Sequence, residues 1–188
     1  MKKIETVFLA GPDTWSPDAA EGLAVREEVC QAMGFRGVSP KLGAGLEEEQ
    51  RSEVTGRSLY AEALALLRSA DALVANLTPW RGPNCDPATA YLMGFASALN
   101  KPVAAYLNVA DEEEADLRSR VEAWYGAGPD ATGRWRDGQD CEVEDFYLPE
   151  NLLLWAEARR FYVIVTPNPM SDVQGLHLCL EALKLYSE

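Results

Sequence analysis

Eight consecutive residues, Pro79-Trp80-Arg81-Gly82-Pro83-Asn84-Cys85-Asp86, set an aromatic ring, a fixed cation, a glycine and a carboxylate side by side. Trp80 offers a flat face for stacking, Arg81 a permanent charge, Gly82 room for close approach, and Asp86 an acceptor that can also carry a proton. These are parts for gripping a small polar ligand. Asp86-Pro87 also has the form of a helix start, so the plain reading of Asp86 is a cap. A cap at the carboxyl edge of a strand is nevertheless where a ligand hydroxyl would be met. A second cluster, Gly11-Pro12-Asp13, follows the apolar run at residues 4–10 and would end a first strand.

The surrounding pattern predicts how these groups are held. Residues 71–77 read as a strand, 78–85 as a loop, Asp86 onward as a helix, and the chain from Pro102 as another strand. That is a βαβ unit, and in open parallel sheets ligands bind in the loops beyond the carboxyl ends of the strands. Upstream, a strand over 4–10 precedes a helix with Ser16 at its N-cap and Pro17 at its first position, running to about Met33 and stopped by Gly34. A strand over 35–39 is closed by Pro40. Residues 41–56 show no clear period and are expected to be a mobile loop, with Glu47, Glu48 and Glu49 as a solvated run. A helix over 57–69 delivers the chain to the next strand.

Beyond a strand at 103–107 the pattern breaks, and residues 108–148 are expected to form an insertion or lid. Its Trp124, Tyr125 and Trp135 are read as packing residues rather than cover for a planar ligand. A further helix starts within 148–154, a strand spans 160–165, and a C-terminal helix carries His177, read as a surface or core residue. Strands and helices alternate throughout, which predicts an α/β fold: a doubly wound parallel sheet of about five strands with helices on both faces. Three loops, at 10–13, 78–85 and from Asn108, should then gather at one edge.

Composition excludes several classes of partner. With 188 residues, 47% of them hydrophobic, the chain suits a single domain over 1–188. A net charge of −13 repels a nucleic acid polymer or an acidic membrane at long range. No apolar run reaches the length of a membrane span, and the start MKKIETVFLAG is not built as a signal peptide. Cys30, Cys85, Cys141 and Cys179 are scattered, so neither a zinc site nor a disulfide framework is expected; reduced thiols in a cytoplasmic protein are the simplest reading.

Four stretches, FLAGPDTW, DALVANLTPWRG, DPATAYLMGFASALNKPV and LPENLLL, resemble in order and spacing the nucleoside 2-deoxyribosyltransferase family. The resemblance covers most of the chain and is weakest at 40–58 and 108–145. It implies a flavodoxin-like domain that exchanges the base of a 2'-deoxynucleoside without metal or cofactor, through a covalent deoxyribosyl-enzyme on a glutamate. A carboxylate suits this role because the anomeric carbon becomes oxocarbenium-like. Gly11 and Pro12 match the family's first loop, and Phe8 falls in or near a position where tyrosine is frequent. Asp86 matches the aspartate that helps bind the sugar and assists proton transfer. Asn151 matches an asparagine that reaches into a neighbour's site, which implies a homo-oligomer with shared active sites.

One position departs from this resemblance. The family's helix reads roughly D-x-G-T-A-[FY]-E-[LIVM]-G, and here Leu92 stands at the glutamate, with Ala88 at the glycine. Ala63 falls where many members carry Asp or Asn. Leu92 continues an apolar stripe with Ala88, Tyr91, Phe95 and Leu99, so as a packing residue it is ordinary. Three readings follow. The first is a family protein that has lost its nucleophile but keeps binding, and so an inactive variant. The second is a hydrolase or transferase working through Asp86, Asp13 or Glu62, including on nucleoside monophosphates whose phosphate Arg81 would pair. The third is a non-catalytic nucleoside-binding protein. In all three the partner is a small nucleoside, nucleobase or nucleotide, and Phe8, Gly11, Pro12, Asp13, Trp80, Arg81, Gly82 and Asn151 are the candidate binding residues.

Overall fold

The computed structural model describes residues 3–42 and 45–186. Its strands are β1 (Thr6–Ala10), β2 (Arg36–Val38), β3 (Ala72–Asn76), β4 (Val103–Val109), β5 (Gly128–Pro129), β6 (Trp135–Arg136) and β7 (Arg160–Val165). Five of them form one parallel sheet in the order β2-β1-β3-β4-β7, while β5 and β6 pair as a short antiparallel hairpin. This is the flavodoxin-like strand order, with its switch point between β1 and β3. The expected fold class is therefore present.

The helices are α1 (Ala19–Ala32), α2 (Glu53–Ser69), α3 (Pro87–Ala98), α4 (Leu117–Tyr125), α5 (Leu152–Glu157) and α6 (Gln174–Lys184). Alternation along the strands divides the core in two. Phe8, Ala10, Leu73, Ala75, Ala105 and Leu107 pack with Leu64 and Leu67 of α2 and Leu92, Met93 and Ala96 of α3. Val7, Leu9, Val74, Ala104 and Tyr106 pack on the other face with Cys30 of α1 and Leu176, Cys179 and Leu180 of α6. Strands β3 and β4 are buried along their whole length, as central parallel strands covered on both faces must be. Among the described residues no helix is long and apolar enough to cross a membrane.

Several local expectations are corrected. Ser16 does not cap α1: a 3-10 turn over Pro12–Trp15 comes first, and α1 starts only at Ala19, after Asp18. Burial of Pro12, Asp13 and Thr14 holds that turn in place. The stretch expected as a loop to residue 56 already holds the first turn of α2, which begins at Glu53 because Ser52 accepts a hydrogen bond from the Thr55 amide at 3.1 Å. Part of that stretch, residues 43–44, lies outside the described residues. On α3 the buried face is Thr89, Leu92, Met93 and Ala96, whereas Tyr91 is turned outward and meets Tyr60 of α2 hydroxyl to hydroxyl at 3.2 Å.

Gly175, at the start of α6, lies directly against the Tyr106 ring, and a Cβ there would overlap the ring's Cγ and Cδ2. Tyr106 is buried in the core behind it. Gly175→Ala is expected to lower stability by about 1–3 kcal/mol, the usual cost of overpacking. Urea unfolding followed by circular dichroism checks this.

Candidate active site

Asp86 caps α3 as its sequence suggests. Its Oδ2 accepts from the Thr89 amide at 2.9 Å and the Thr89 hydroxyl at 3.0 Å, while Pro87 occupies the first turn without an amide to satisfy. The loop before it closes on itself through a hydrogen bond from the Trp80 amide to the Asn84 carbonyl at 2.9 Å. Two residues inside that turn take positive φ: Arg81 at 55° and Gly82 at 151°, a region open essentially to glycine. The Arg81 guanidinium lies over the Trp80 ring, 5.2 Å from its centroid.

An open cleft of about 520 Å³ lies over this loop. Trp80, Arg81, Gly82 and Asp86 line it together with Trp15 from the turn after β1 and Tyr125 at the end of α4. Four of the expected site residues are thus brought together. Asp86 is the cleft's carboxylate, and it is 5% exposed. Tyr125 is half exposed rather than packed, so the packing expectation fails for it; Trp124 is more exposed still, and Trp135 lies under the Arg118 guanidinium at 4.6 Å.

The remaining expected residues stand elsewhere. Phe8 is wholly buried in the core, and Leu92, 4% exposed, packs there beneath the loop. Pro12 is buried in the turn after β1. Asn151 caps α5, accepting from the Leu153 amide at 3.0 Å and donating to Glu144 at 2.8 Å. Glu62 is exposed on α2, where Ser58 donates to it.

Asp13 belongs to a buried polar network across the carboxyl edge of the sheet. It pairs with Arg26 of α1 at 2.6 Å and accepts from the Asn76 amide group at 3.1 Å. Asn76 in turn accepts from the Thr78 hydroxyl at 2.6 Å, and that hydroxyl accepts from the Asn108 backbone amide at 3.0 Å. The three loops do gather, as the alternation of elements predicted. Gly11 is required there because a Cβ would stand 2.6 Å from the Asp13 carboxylate and 2.8 Å from Asn76. Gly11 and Asp13 line a separate, water-sized hollow of about 10 Å³, not the cleft.

Behind the loop stands a pair that sequence reasoning missed. Arg120 of α4 donates to the carbonyls of Pro83, Glu114 and Pro149 at 2.7, 2.8 and 2.6 Å. It faces Glu150 Oε2 at 3.5 Å, both side chains being buried. Burial raises the Glu150 carboxyl and lowers the Arg120 guanidinium from their ordinary values, each partly countered by the other. Cys85, between the pair and the cleft, is pushed up to about 12 by burial and by the Glu150 and Asp86 charges, which disfavours its thiolate. Among the described residues no three His, Cys, Asp or Glu side chains come together as a metal-binding group.

The sequence profile of the nucleoside 2-deoxyribosyltransferase family matches residues 7–153, more than three quarters of the chain. The chain belongs to this family. A 2-desoxiribosyltransferase from Leishmania mexicana is similar in structure, with 26% identity, a TM-score of 0.57, and coverage of 84% of this chain and 89% of that one. A conserved protein from Enterococcus faecalis V583 shares the fold, at 17% identity and a TM-score of 0.54, over 97% of this chain and 99% of the other. A Schizosaccharomyces pombe protein described as uncharacterized is 30% identical over 146 residues, 76% of this chain and 68% of its own length. The matched range includes both the Asp86 loop and Leu92, which packs in the core cluster that also holds Cys85 of that loop.

Of the residues missed, Trp15 had a usable signal. It follows Gly11-Pro12 at the end of β1, hence at the same sheet edge as the loop. Arg120 and Glu150 had none, being thirty positions apart in an aperiodic stretch.

Two outcomes test these roles. Asp86→Asn keeps an acceptor for the Thr89 amide and is expected to leave stability nearly unchanged, whereas Asp86→Ala loses about 1 kcal/mol in urea titrations. For Asp13, burial raises the carboxyl above its ordinary 3.8, with Arg26 and Asn76 opposing. The folded protein then holds that proton more tightly than the unfolded chain, so this group's contribution to stability falls as pH rises above 3.8. Arg26→Met removes the main opposing charge and steepens the fall. The variant is expected to lose about 3–5 kcal/mol at neutral pH and to regain part of it towards about pH 4, read from urea midpoints across pH.

Proposed function

We propose that this deoxyribosyltransferase-like protein binds a 2'-deoxynucleoside, or its free base, in the cleft over α3, and lacks the covalent transfer route. One placement carries the reading. Leu92, which the sequence resemblance sets at the family's glutamate, stands less than two turns into the helix that Asp86 caps, and its side chain is packed in the core. An alkyl chain has no lone pair to capture an oxocarbenium-like carbon. Ala63 of α2, also buried, supplies no polar group either. The cleft retains parts for binding: the rings of Trp15, Trp80 and Tyr125 to meet a base, and Asp86 to accept from a sugar hydroxyl.

A second reading rests on Asp86 as the carboxylate lining the cleft. In it Asp86 activates water for a single displacement at the anomeric carbon, and the product is free base without transfer. Arg81 in the same cleft would pair with the phosphate of a nucleoside monophosphate.

We further infer a homo-oligomer. Tyr60, Tyr91, Leu153 and Trp155 expose large apolar surface on α2, α3 and α5, the helix layer that carries Asn151. Light scattering is expected to read a multiple of the 20.7 kDa chain mass, and a monomer would remove this part of the reading.

The deciding assay supplies 2'-deoxyinosine and adenine to the unaltered protein and to Leu92→Glu, with chromatographic detection and circular dichroism to verify folding. The unaltered protein is expected to bind 2'-deoxyinosine, seen by tryptophan quenching, and to form no 2'-deoxyadenosine, while the variant gains transfer. Free hypoxanthine released by the unaltered protein would move the assignment to the hydrolase. No binding and no turnover from folded samples would sink both readings for this substrate.

A further inference from the structure

The Arg120 and Glu150 contacts converge on three consecutive loop residues. Arg120 Nε holds the Pro83 carbonyl at 2.7 Å, and the Asn84 side chain and Cys85 amide both face the Glu150 carboxylate. The next residue is Asp86. Glu150 is anchored in turn by the Asn151 amide at 2.9 Å, and Arg120 by the carbonyls of Glu114 and Pro149. Neither side chain lines the cleft. Apart from these contacts, the loop's own backbone closure is the single bond between Trp80 and Asn84.

We propose that Arg120 and Glu150 are positioning residues for the cleft: they hold residues 83–85 in place, and so fix where Asp86 stands and how tightly the site takes its ligand. The identity of that ligand rests on the nucleoside reading above; the positioning does not. A guanidinium reaches three carbonyls on separate pieces of chain because its donors form a rigid planar fork, which a lysine ammonium cannot reproduce. Glu150 supplies a counter-charge 3.5 Å from the enclosed guanidinium.

Cys85 supplies a local reporter, because it is buried within the held segment. Cys30 and Cys179, buried against the other face of the sheet, report on the rest of the fold. With the exposed Cys141 changed to serine, native-state alkylation by iodoacetamide is followed at each site by mass spectrometry. Arg120→Lys keeps the charge beside the Cys85 thiol and removes the fork; Glu150→Gln keeps the shape and removes the charge.

In both variants Cys85 alkylation is expected to rise by about tenfold or more, with Cys30 and Cys179 at the unaltered rate, as for a local opening. Binding of 2'-deoxyinosine weakens alongside, by about tenfold. The proposal is overturned by equal rises at all three thiols, which would mean general loosening, by a rise in Glu150→Gln alone, which would mean a charge effect on the thiol, or by no rise. A protein that does not bind 2'-deoxyinosine at all would refute the nucleoside reading, while the Cys85 labelling still decides the positioning role.

Discussion

A buried guanidinium needs acceptors on several sides, and Arg120 satisfies that need by drawing separate pieces of chain around itself. The cleft loop, the turn after β4 and the approach to α5 each give it a carbonyl, and Glu150 gives it a counter-charge. Removing one partner from such a pair leaves an enclosed charge, a cost of several kcal/mol. The aperiodic chain between β4 and α5 is therefore tied to the cleft. It also contributes Tyr125 to the cleft wall.

A second buried pair divides the carboxyl edge of the sheet. Asp13 and Arg26 close the region around the end of β1 with Asn76, Thr78 and Asn108, while the cleft over residues 80–86 stays open to solvent. The first loop thus reaches the cleft through Trp15 rather than through its carboxylate. An Asp13 committed to a 2.6 Å ion pair is poorly suited to activating water, because the charge it would use is already engaged. The arrangement leaves Asp86 as the carboxylate lining the cleft.

On α3 the cap and the core face are separable. Asp86 serves the helix start and the cleft together, while Leu92 serves only packing. Burying a leucine there contributes about 2 kcal/mol, whereas a carboxylate at the same place needs compensating partners. A chain that keeps the leucine gains stability where a catalytic carboxylate would cost it.

Local pattern was enough for the elements and their order. Short apolar runs, the Asp86-Pro87 helix start and the glycine stops are short-range effects, and each acted where it stood, so the parallel sheet and the loop with Trp80, Arg81, Gly82 and Asp86 were legible. Ser16 was misread because the buried turn over Pro12–Trp15 was decided by neighbours in space, and the first turn of α2 because the local Ser52 cap was overlooked. What only the tertiary structure decided was partnership: Asp13 with Arg26, Arg120 with Glu150, and Tyr125 with the cleft. Such pairs join residues far apart in the chain. Their energies come from burial and from directed donors, and neither exists until the sheet and its loops have brought them together.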